Sequence, residues 1–297
     1  MSDSRLSPLM ASLLLAGVAV AWGAIPLFVR NDVPSVGLVG VRMTLGASVL
    51  IIVAASLGNL RLPPMHRGRV VASGLLLASH WIAFFASIKL TTVAIALSVL
   101  YLGPIAASTL AGPVLGQVVP RRLWYALGIA ATGTLIVVQP WDMGDTGKAS
   151  IEGLAVAALA AALFAALMLV GYPAARDLRG LTMSMGELVV GSVVLAPATV
   201  SAIANHPDEL VNFVVLGAVF TGLTGYLYWE VYRLIPVASV STIMYLEPAS
   251  AVIWAMLFLG ESPTTLTWVG IVLVIAGGAI AATMATVEDA KKAPSTL

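Results

Sequence analysis

The sequence YLGP at Tyr101–Pro104 returns 144 residues later as YLEP at Tyr245–Pro248. The same offset aligns further identical or similar residues without a gap: Lys89 with Arg233, Val93 with Val237, Gly116 with Gly260, Trp124 with Trp268 and Gly133 with Gly277. An offset one residue longer aligns Gly46 with Gly191 and Arg42 with Glu187. The pattern indicates two copies of one segment, which differ where Gly103 corresponds to Glu247.

The composition is that of a membrane protein. Of the 297 residues, 60% are hydrophobic and only 10% are charged, whereas a soluble domain carries about 25% charged residues. A net charge of +1 leaves no basic face for a nucleic acid. The absence of cysteine and the three scattered histidines exclude disulfides and predict no metal site.

A helix needs about 20 apolar residues to cross a bilayer. Ten stretches meet this length, at about 9–28, 35–57, 69–88, 91–115, 121–140, 151–172, 182–204, 210–231, 236–259 and 265–285. We therefore predict an all-α integral membrane protein with ten transmembrane helices. Five lie in a first repeat, residues 1–145, and five in a second, residues 146–297, which ends in a short cytoplasmic tail. Arg5 and Ala19–Ala21 also fit a signal peptide, but the repeat requires the first span.

The distribution of Lys and Arg predicts the orientation. With a cytoplasmic N-terminus, the outer loops hold only Arg30, Lys89 and Lys148 of the 15 Lys and Arg residues, and most others lie in cytoplasmic segments. The positive-inside rule therefore places both termini in the cytoplasm. Because each repeat has an odd number of spans, the second repeat enters the membrane from the opposite side. Such inverted repeats are typical of secondary transporters that work by alternating access.

The repeated tetrapeptides supply candidate site residues. Tyr101 and Tyr245 lie mid-span, where a phenol either lines a cavity or bridges packed helices. Pro104 and Pro248 each remove a helical hydrogen bond and predict kinks. A carboxylate such as Glu247 costs about 2.5–3.5 kcal/mol near the bilayer centre. It would hold a substrate ammonium or exchange a proton, unless it is protonated and bonded to a neighbouring helix.

Aromatic residues give a second set of candidates. His80 and Phe84 share one helix face and would line a cavity, although a packed histidine is the alternative. Trp22 precedes Gly23 and Pro26, a pattern that indicates a bend beside a cavity or a wedge residue. The eighth span carries Tyr226, Tyr228, Trp229 and Tyr232, which would line the same cavity. Trp229 and Tyr232 lie near its cytoplasmic end, however, and an interfacial aromatic belt is their alternative.

Arg42 and Glu187 do not fit a salt bridge. They lie roughly 10 and 8 Å from opposite faces of a core about 30 Å thick. Their heights therefore differ by roughly 12 Å. We expect each to have its own partner or to reach into a cavity.

The motifs resemble the EamA branch of the drug/metabolite transporter superfamily. They are Trp22-Gly23, Arg42, the Tyr-Leu-x-Pro pair and Leu259-Gly260-Glu261, and the resemblance covers nearly the whole chain. The stretch SHWIAFF at Ser79–Phe85 is similar to bacterial YddG-type aromatic amino-acid exporters. The resemblance implies ten helices around a central cavity and export of Phe, Tyr, Trp and other neutral amino acids.

No catalytic motif supports an enzyme. GDTGKAS at Gly144–Ser150 departs from a phosphate-binding loop, since Asp142 and Ala149 stand where it needs Gly and Ser or Thr. We predict a non-enzymatic inner-membrane transporter without cofactor, metal or obligate protein partner. Its predicted substrate-binding residues are Trp22, His80, Phe84, Tyr101, Tyr245 and Glu247, and its gating or kink residues are Pro26, Pro104 and Pro248. The alternatives are export of another metabolite or drug, proton-coupled or not, and a passive channel.

Overall fold

A computed structural model describes residues 6–29, 32–58, 60–91, 93–138, 151–260 and 263–292. The predicted boundary between the repeats, at residues 145 and 146, lies outside these ranges, as do Arg30, Lys148 and Glu261. Within the described ranges the chain is helical and contains no strand. The helices are α1 (Pro8–Trp22), α2 (Pro26–Val29), α3 (Ser35–Ser56), α4 (Arg67–Leu90), α5 (Val93–Leu100), α6 (Leu102–Leu115), α7 (Arg121–Val138), α8 (Ile151–Asp177), α9 (Gly180–Val194), α10 (Ala196–Asn205), α11 (Leu210–Val214), α12 (Thr224–Tyr232), α13 (Val237–Met244), α14 (Leu246–Leu259) and α15 (Thr265–Lys292).

Six helical stretches of the described chain are long and apolar enough to cross a bilayer. They are Pro8–Val29, Ser35–Ser56, Pro64–Leu90, Ile151–Asp177, Pro207–Tyr232 and Val237–Phe258. They coincide with the predicted spans one, two, three, six, eight and nine. Leu102–Leu115 and Thr265–Ala281 are shorter apolar helices.

The seventh predicted span, 182–204, is not one continuous helix. Its residues form α9 and α10, which meet at an angle of 75° next to Leu195. Pro197 stands in the first turn of α10 and has no N–H to bond to Val193. The pair counts as a seventh span if the bent helices are taken together.

Two further predicted spans break at a tyrosine. α5 ends before Tyr101 and α6 begins after it, and α13 and α14 are separated in the same way by Tyr245. Each break lies three residues before a proline, Pro104 or Pro248. The first span breaks between Trp22 and Pro26, where α1 ends and α2 begins.

The eighth span contains a π-helix, Val215–Leu223, between α11 and α12. The Thr221 hydroxyl donates a 2.6 Å hydrogen bond to the Leu216 carbonyl, which satisfies an acceptor inside the widened turn. Nine residues of π-helix are unusual, because this geometry occurs mostly as single turns near functional sites. Sequence periodicity predicted an ordinary helix over 210–231 and did not distinguish the two.

Glycines bring α7 and α15 into backbone contact. A Cβ on Gly133 would lie 2.8 Å from the Gly270 carbonyl oxygen, and a Cβ on Gly277 would lie 2.7 Å from the Ala126 carbonyl oxygen. Gly133 and Gly277 correspond in the repeat, and so do Ala126 and Gly270. The two contacts are therefore reciprocal, so that each copy presents the same pair of positions to the other.

The contact between α3 and α9 has the same reciprocity. A Cβ on Gly46 would lie 3.0 Å from Leu188 Cδ1, and a Cβ on Gly191 would overlap the Met43 side chain. Gly46 corresponds to Gly191, and Met43 corresponds to Leu188, at the second of the two offsets. Both helix pairs approach closely because small residues stand at matched positions of the two copies.

Candidate functional site

A cavity lies among the breaks in the helices, between α1, α2, α3, α4, α5, α8, α9, the π-helix, α12 and α14. Its volume is about 90 Å³. Its wall is mostly aromatic and aliphatic, with a few polar and charged groups. The aromatic residues are Trp22, His80, Trp81, Phe84, Phe85, Tyr101, Phe164, Phe220, Tyr228 and Trp229, and the polar or charged ones are Arg42, Ser184, Glu187, Thr221 and Glu247.

The cavity brings together five of the six predicted substrate-binding residues, Trp22, His80, Phe84, Tyr101 and Glu247. Pro26 also lies in its wall. Pro104 and Pro248 are buried behind the wall, at the starts of α6 and α14.

Tyr245 is not among the residues of this cavity's wall, and its contact with substrate stays a prediction. Its hydroxyl donates a 2.5 Å hydrogen bond to the Tyr101 carbonyl oxygen. In turn, the Tyr101 hydroxyl lies 3.4 Å from the Met244 carbonyl oxygen, and the two rings are 5.0 Å apart. The two tyrosines thus bridge the two breaks, and only Tyr101 reaches the cavity.

His80 is held in the wall by two contacts with α8. Its Nδ1 lies 2.9 Å from the Ala160 carbonyl oxygen, so Nδ1 carries the proton and donates. Its ring stacks on Phe164 at 4.9 Å, and Phe84 continues the same face one turn along α4. Phe164 was not predicted, because nothing in α8 alone marks the helix face that meets α4.

Trp22 closes another side of the cavity. Its Nε1 donates a 2.8 Å hydrogen bond to the Thr224 hydroxyl, and its ring lies 5.3 Å from that of Tyr228. The next residue, Gly23, packs against the backbone of α14, where a Cβ would lie 2.6 Å from the Glu247 carbonyl oxygen. The bend therefore fixes Trp22 between α12 and α14.

The difference between YLGP and YLEP follows from packing. A Cβ on Gly103 would lie 2.7 Å from the Ala161 carbonyl oxygen of α8, so no larger residue fits there. Glu247, at the equivalent position, faces the cavity instead. Arg42 and Tyr101 lie in the same wall. The second copy of the repeat therefore carries the carboxyl group, because only there does a side chain have room at this position.

Arg42 and Glu187 have separate partners, as predicted. Arg42 Nε donates a 3.0 Å hydrogen bond to the Thr221 hydroxyl of the π-helix, and Glu187 Oε2 accepts a 2.5 Å hydrogen bond from Trp229 Nε1. No ion pair joins the two residues within the described ranges. Both nevertheless lie in the wall of the same cavity.

Trp229 and Tyr232 are not interfacial belt residues, which corrects the alternative given above. Trp229 is 3% exposed and Tyr232 is fully buried. Tyr232 donates a 2.8 Å hydrogen bond to the Met168 carbonyl oxygen, and the Trp229 ring packs against Gly171 of α8. Hydropathy alone could not distinguish a span end at the membrane surface from one covered by neighbouring helices.

The wall suits a small organic molecule with an apolar part and charged groups. Aromatic faces offer stacking, while Arg42, Glu187 and Glu247 place a guanidinium and two carboxyl groups in an otherwise apolar cavity. Among the described residues, no group of His, Asp and Glu side chains has the arrangement of a metal site.

Comparison with known proteins places this architecture among transporters. The model of the EamA-like transporter family matches residues 9–139 and again residues 152–283. The transporter YxxF of Bacillus subtilis (strain 168), itself described as uncharacterized, is 26% identical over 219 residues, which cover 71% of this chain and 68% of that protein. The threonine/homoserine exporter RhtA of Salmonella typhimurium (strain SL1344) is 25% identical over 289 residues, 95% of this chain and 90% of that protein.

A solved crystal structure shares the fold. It superimposes with a TM-score of 0.76 at 18% sequence identity and covers 92% of this chain and 98% of its own. The family model covers most of the chain in two matches. The chain therefore belongs to the EamA-like transporter family and is a multi-pass membrane transporter.

Proposed function

We propose that the protein exports neutral amino acids, the aromatic ones above all, from the cytoplasm across the inner membrane. The observation that carries the proposal is the cavity, whose wall combines stacked aromatic rings with the guanidinium of Arg42 and the carboxyl groups of Glu187 and Glu247. An α-amino acid has an ammonium and a carboxylate beside its side chain, and this wall offers partners for each part. The similarity to RhtA over 95% of the chain supports an amino-acid cargo.

The proposed architecture is ten transmembrane helices in two inverted repeats, residues 1–145 and 146–297. Two observations support it. The family model matches twice, once in each repeat, and the reciprocal contacts of α7 with α15 and of α3 with α9 are those that a two-fold axis between similar halves produces. The halves rearrange around the cavity, so that it opens to one side of the membrane at a time.

Each predicted cavity residue has a proposed role. His80, Phe84 and Trp22 form apolar faces against which the substrate side chain stacks. Glu247 receives the substrate ammonium, and Tyr101 orients that carboxylate. The breaks before Pro26, Pro104 and Pro248 allow the helix halves on either side of the cavity to tilt during transport.

A second candidate cargo is a small hydroxylated amino acid. RhtA exports threonine and homoserine according to its name, and this chain aligns with 90% of it. The aromatic wall favours the larger side chains, because stacking and apolar contact grow with ring area. The two cargoes are distinguished by measuring both in one experiment.

Efflux from cells tests the proposed function. Cells that express the protein, and matched cells that lack it, are loaded with labelled phenylalanine or labelled threonine and transferred to amino-acid-free medium. We expect faster, saturable release of phenylalanine from the expressing cells and a smaller effect for threonine. Equal release from both kinds of cell, for both amino acids, would contradict the proposal.

A further inference from the structure

Arg42 is a buried cation whose contacts occupy only part of its hydrogen-bonding capacity. It is 1% exposed and lies in the cavity wall. Its Nε donates to the Thr221 hydroxyl at 3.0 Å. The guanidinium carbon lies 4.3 Å from the centre of the Trp81 ring and 5.4 Å from that of Phe85. These contacts use the Nε–H and place the guanidinium carbon over the two rings.

The other four N–H donors, on the two Nη atoms, have no hydrogen-bond partner among the described residues. No carboxylate oxygen of the described ranges lies within the 4.0 Å of an ion pair with Arg42. A charged side chain in a membrane span normally pairs with an opposite charge or marks a substrate pathway. Arg42 has no such pair here, and it borders the cavity.

The shape of the free donors indicates which ligand fits. Guanidinium is a planar fork whose paired N–H groups match the two oxygens of a carboxylate. The contact with the Trp81 ring and the Nε bond to Thr221 restrict the guanidinium, so little rotamer freedom is lost on binding. The carboxyl group of Glu247 lies in the same wall.

We propose that Arg42 binds the carboxylate of the transported amino acid and thereby selects zwitterions over amines, amides and esters. The inference rests on the proposed function, because it assigns one end of the amino acid that the cavity is proposed to carry. The carboxylate pairs with the Arg42 fork while the ammonium faces Glu247. An amide keeps the ammonium and the side chain but loses the charge that Arg42 requires.

The first test uses the wild-type protein. Proteoliposomes preloaded with unlabelled L-phenylalanine take up labelled L-phenylalanine in the presence of unlabelled L-phenylalanine, L-phenylalaninamide or 3-phenylpropionate as competitors. A parallel set uses L-threonine and L-threoninamide. Because a charge-assisted hydrogen bond is lost, we expect the amide to compete at least about tenfold more weakly than the amino acid.

Equal competition by the amide would overturn the inference while leaving the proposed function in place. Absence of counterflow with both phenylalanine and threonine would overturn the proposed function, and the inference with it. The competition test requires no mutation, so it decides the question even where an Arg42 variant does not fold.

Variants distinguish substrate binding by Arg42 from a purely structural role of its hydrogen bond between α3 and the π-helix. Arg42→Met fills a similar volume without charge, and we expect it to lose discrimination between phenylalanine and its amide. Arg42→Lys keeps the charge without the fork and should restore part of it. Arg176→Met is the control, because Arg176 also lies over an aromatic ring, that of Tyr172, but outside the cavity wall. Unchanged discrimination in folded Arg42→Met would contradict the proposal.

Discussion

The His80 side chain is fixed by one hydrogen bond and one stacked ring, so that its imidazole forms part of the cavity surface. We predict that His80→Ala lowers the initial rate of amino-acid transport about tenfold while the protein stays folded. The expectation follows from losing the imidazole face on which the substrate is proposed to stack, since an aromatic pair contributes about 0.5–1.5 kcal/mol and about 1.4 kcal/mol is tenfold in rate.

Transport is measured in proteoliposomes, and folding is checked by size-exclusion chromatography in detergent. His206→Ala is the matched control, because His206 lies in the connection after α10 and outside the cavity wall. A normal rate in His80→Ala would remove His80 from the site.

Gly171 controls the position of Trp229. A Cβ on Gly171 would lie 3.0 Å from Cζ3 and 3.2 Å from Cζ2 of that ring. We predict that Gly171→Ala destabilises the protein by about 1–3 kcal/mol through overpacking and displaces the Trp229 donor from Glu187.

The measurement is thermal unfolding in detergent. Gly17→Ala is the control, since nothing lies within 4 Å of a Cβ there; equal stability of both variants would contradict the packing argument.

At the scale of helices, the glycine contacts of α7 and α15 hold the two copies together. We predict that Gly133→Leu lowers the thermal stability of the purified protein markedly, because a side chain would meet the Gly270 carbonyl and the backbone of Val274. Gly128→Leu, on the same helix with open space beside it, should unfold near the wild-type temperature. Similar unfolding temperatures for the two variants would show that this contact does not stabilise the assembly.

The prolines of the repeated tetrapeptides predicted two of the helix breaks, whereas the break between α9 and α10 was not predicted and tertiary packing determines which residues surround the cavity. Pro104 and Pro248 stand just after breaks that follow from a missing N–H, a property visible in the sequence. Phe164 and Thr221 lie in the wall because α8 packs on α4 and because a π-helix turns Thr221 towards Arg42. Neither position can be predicted from the residues that neighbour it in the sequence. Tyr245 shows the limit of the repeat, since equivalent positions need not face the same cavity.

At the scale of the whole molecule, the proposed topology has both termini in the cytoplasm. The natural chain has no cysteine, so single cysteines report orientation cleanly. We predict that a membrane-impermeant maleimide labels Ile151→Cys and Asp208→Cys in intact spheroplasts. It should label Met65→Cys and Val118→Cys only after permeabilisation. All four positions are exposed in the structure. Labelling of Met65→Cys from outside would reverse the assignment.

The central claim is that this cavity carries neutral amino acids by alternating access, and counterflow in proteoliposomes tests it most directly. Vesicles containing the purified protein are preloaded with unlabelled phenylalanine and given labelled phenylalanine, tryptophan or threonine outside, with and without a pH gradient. We predict transient, saturable accumulation of label, strongest for the aromatic amino acids and strongly reduced in His80→Ala. Uptake that does not saturate and shows no overshoot would indicate a channel. No accumulation of any amino acid by folded protein would contradict the claim outright.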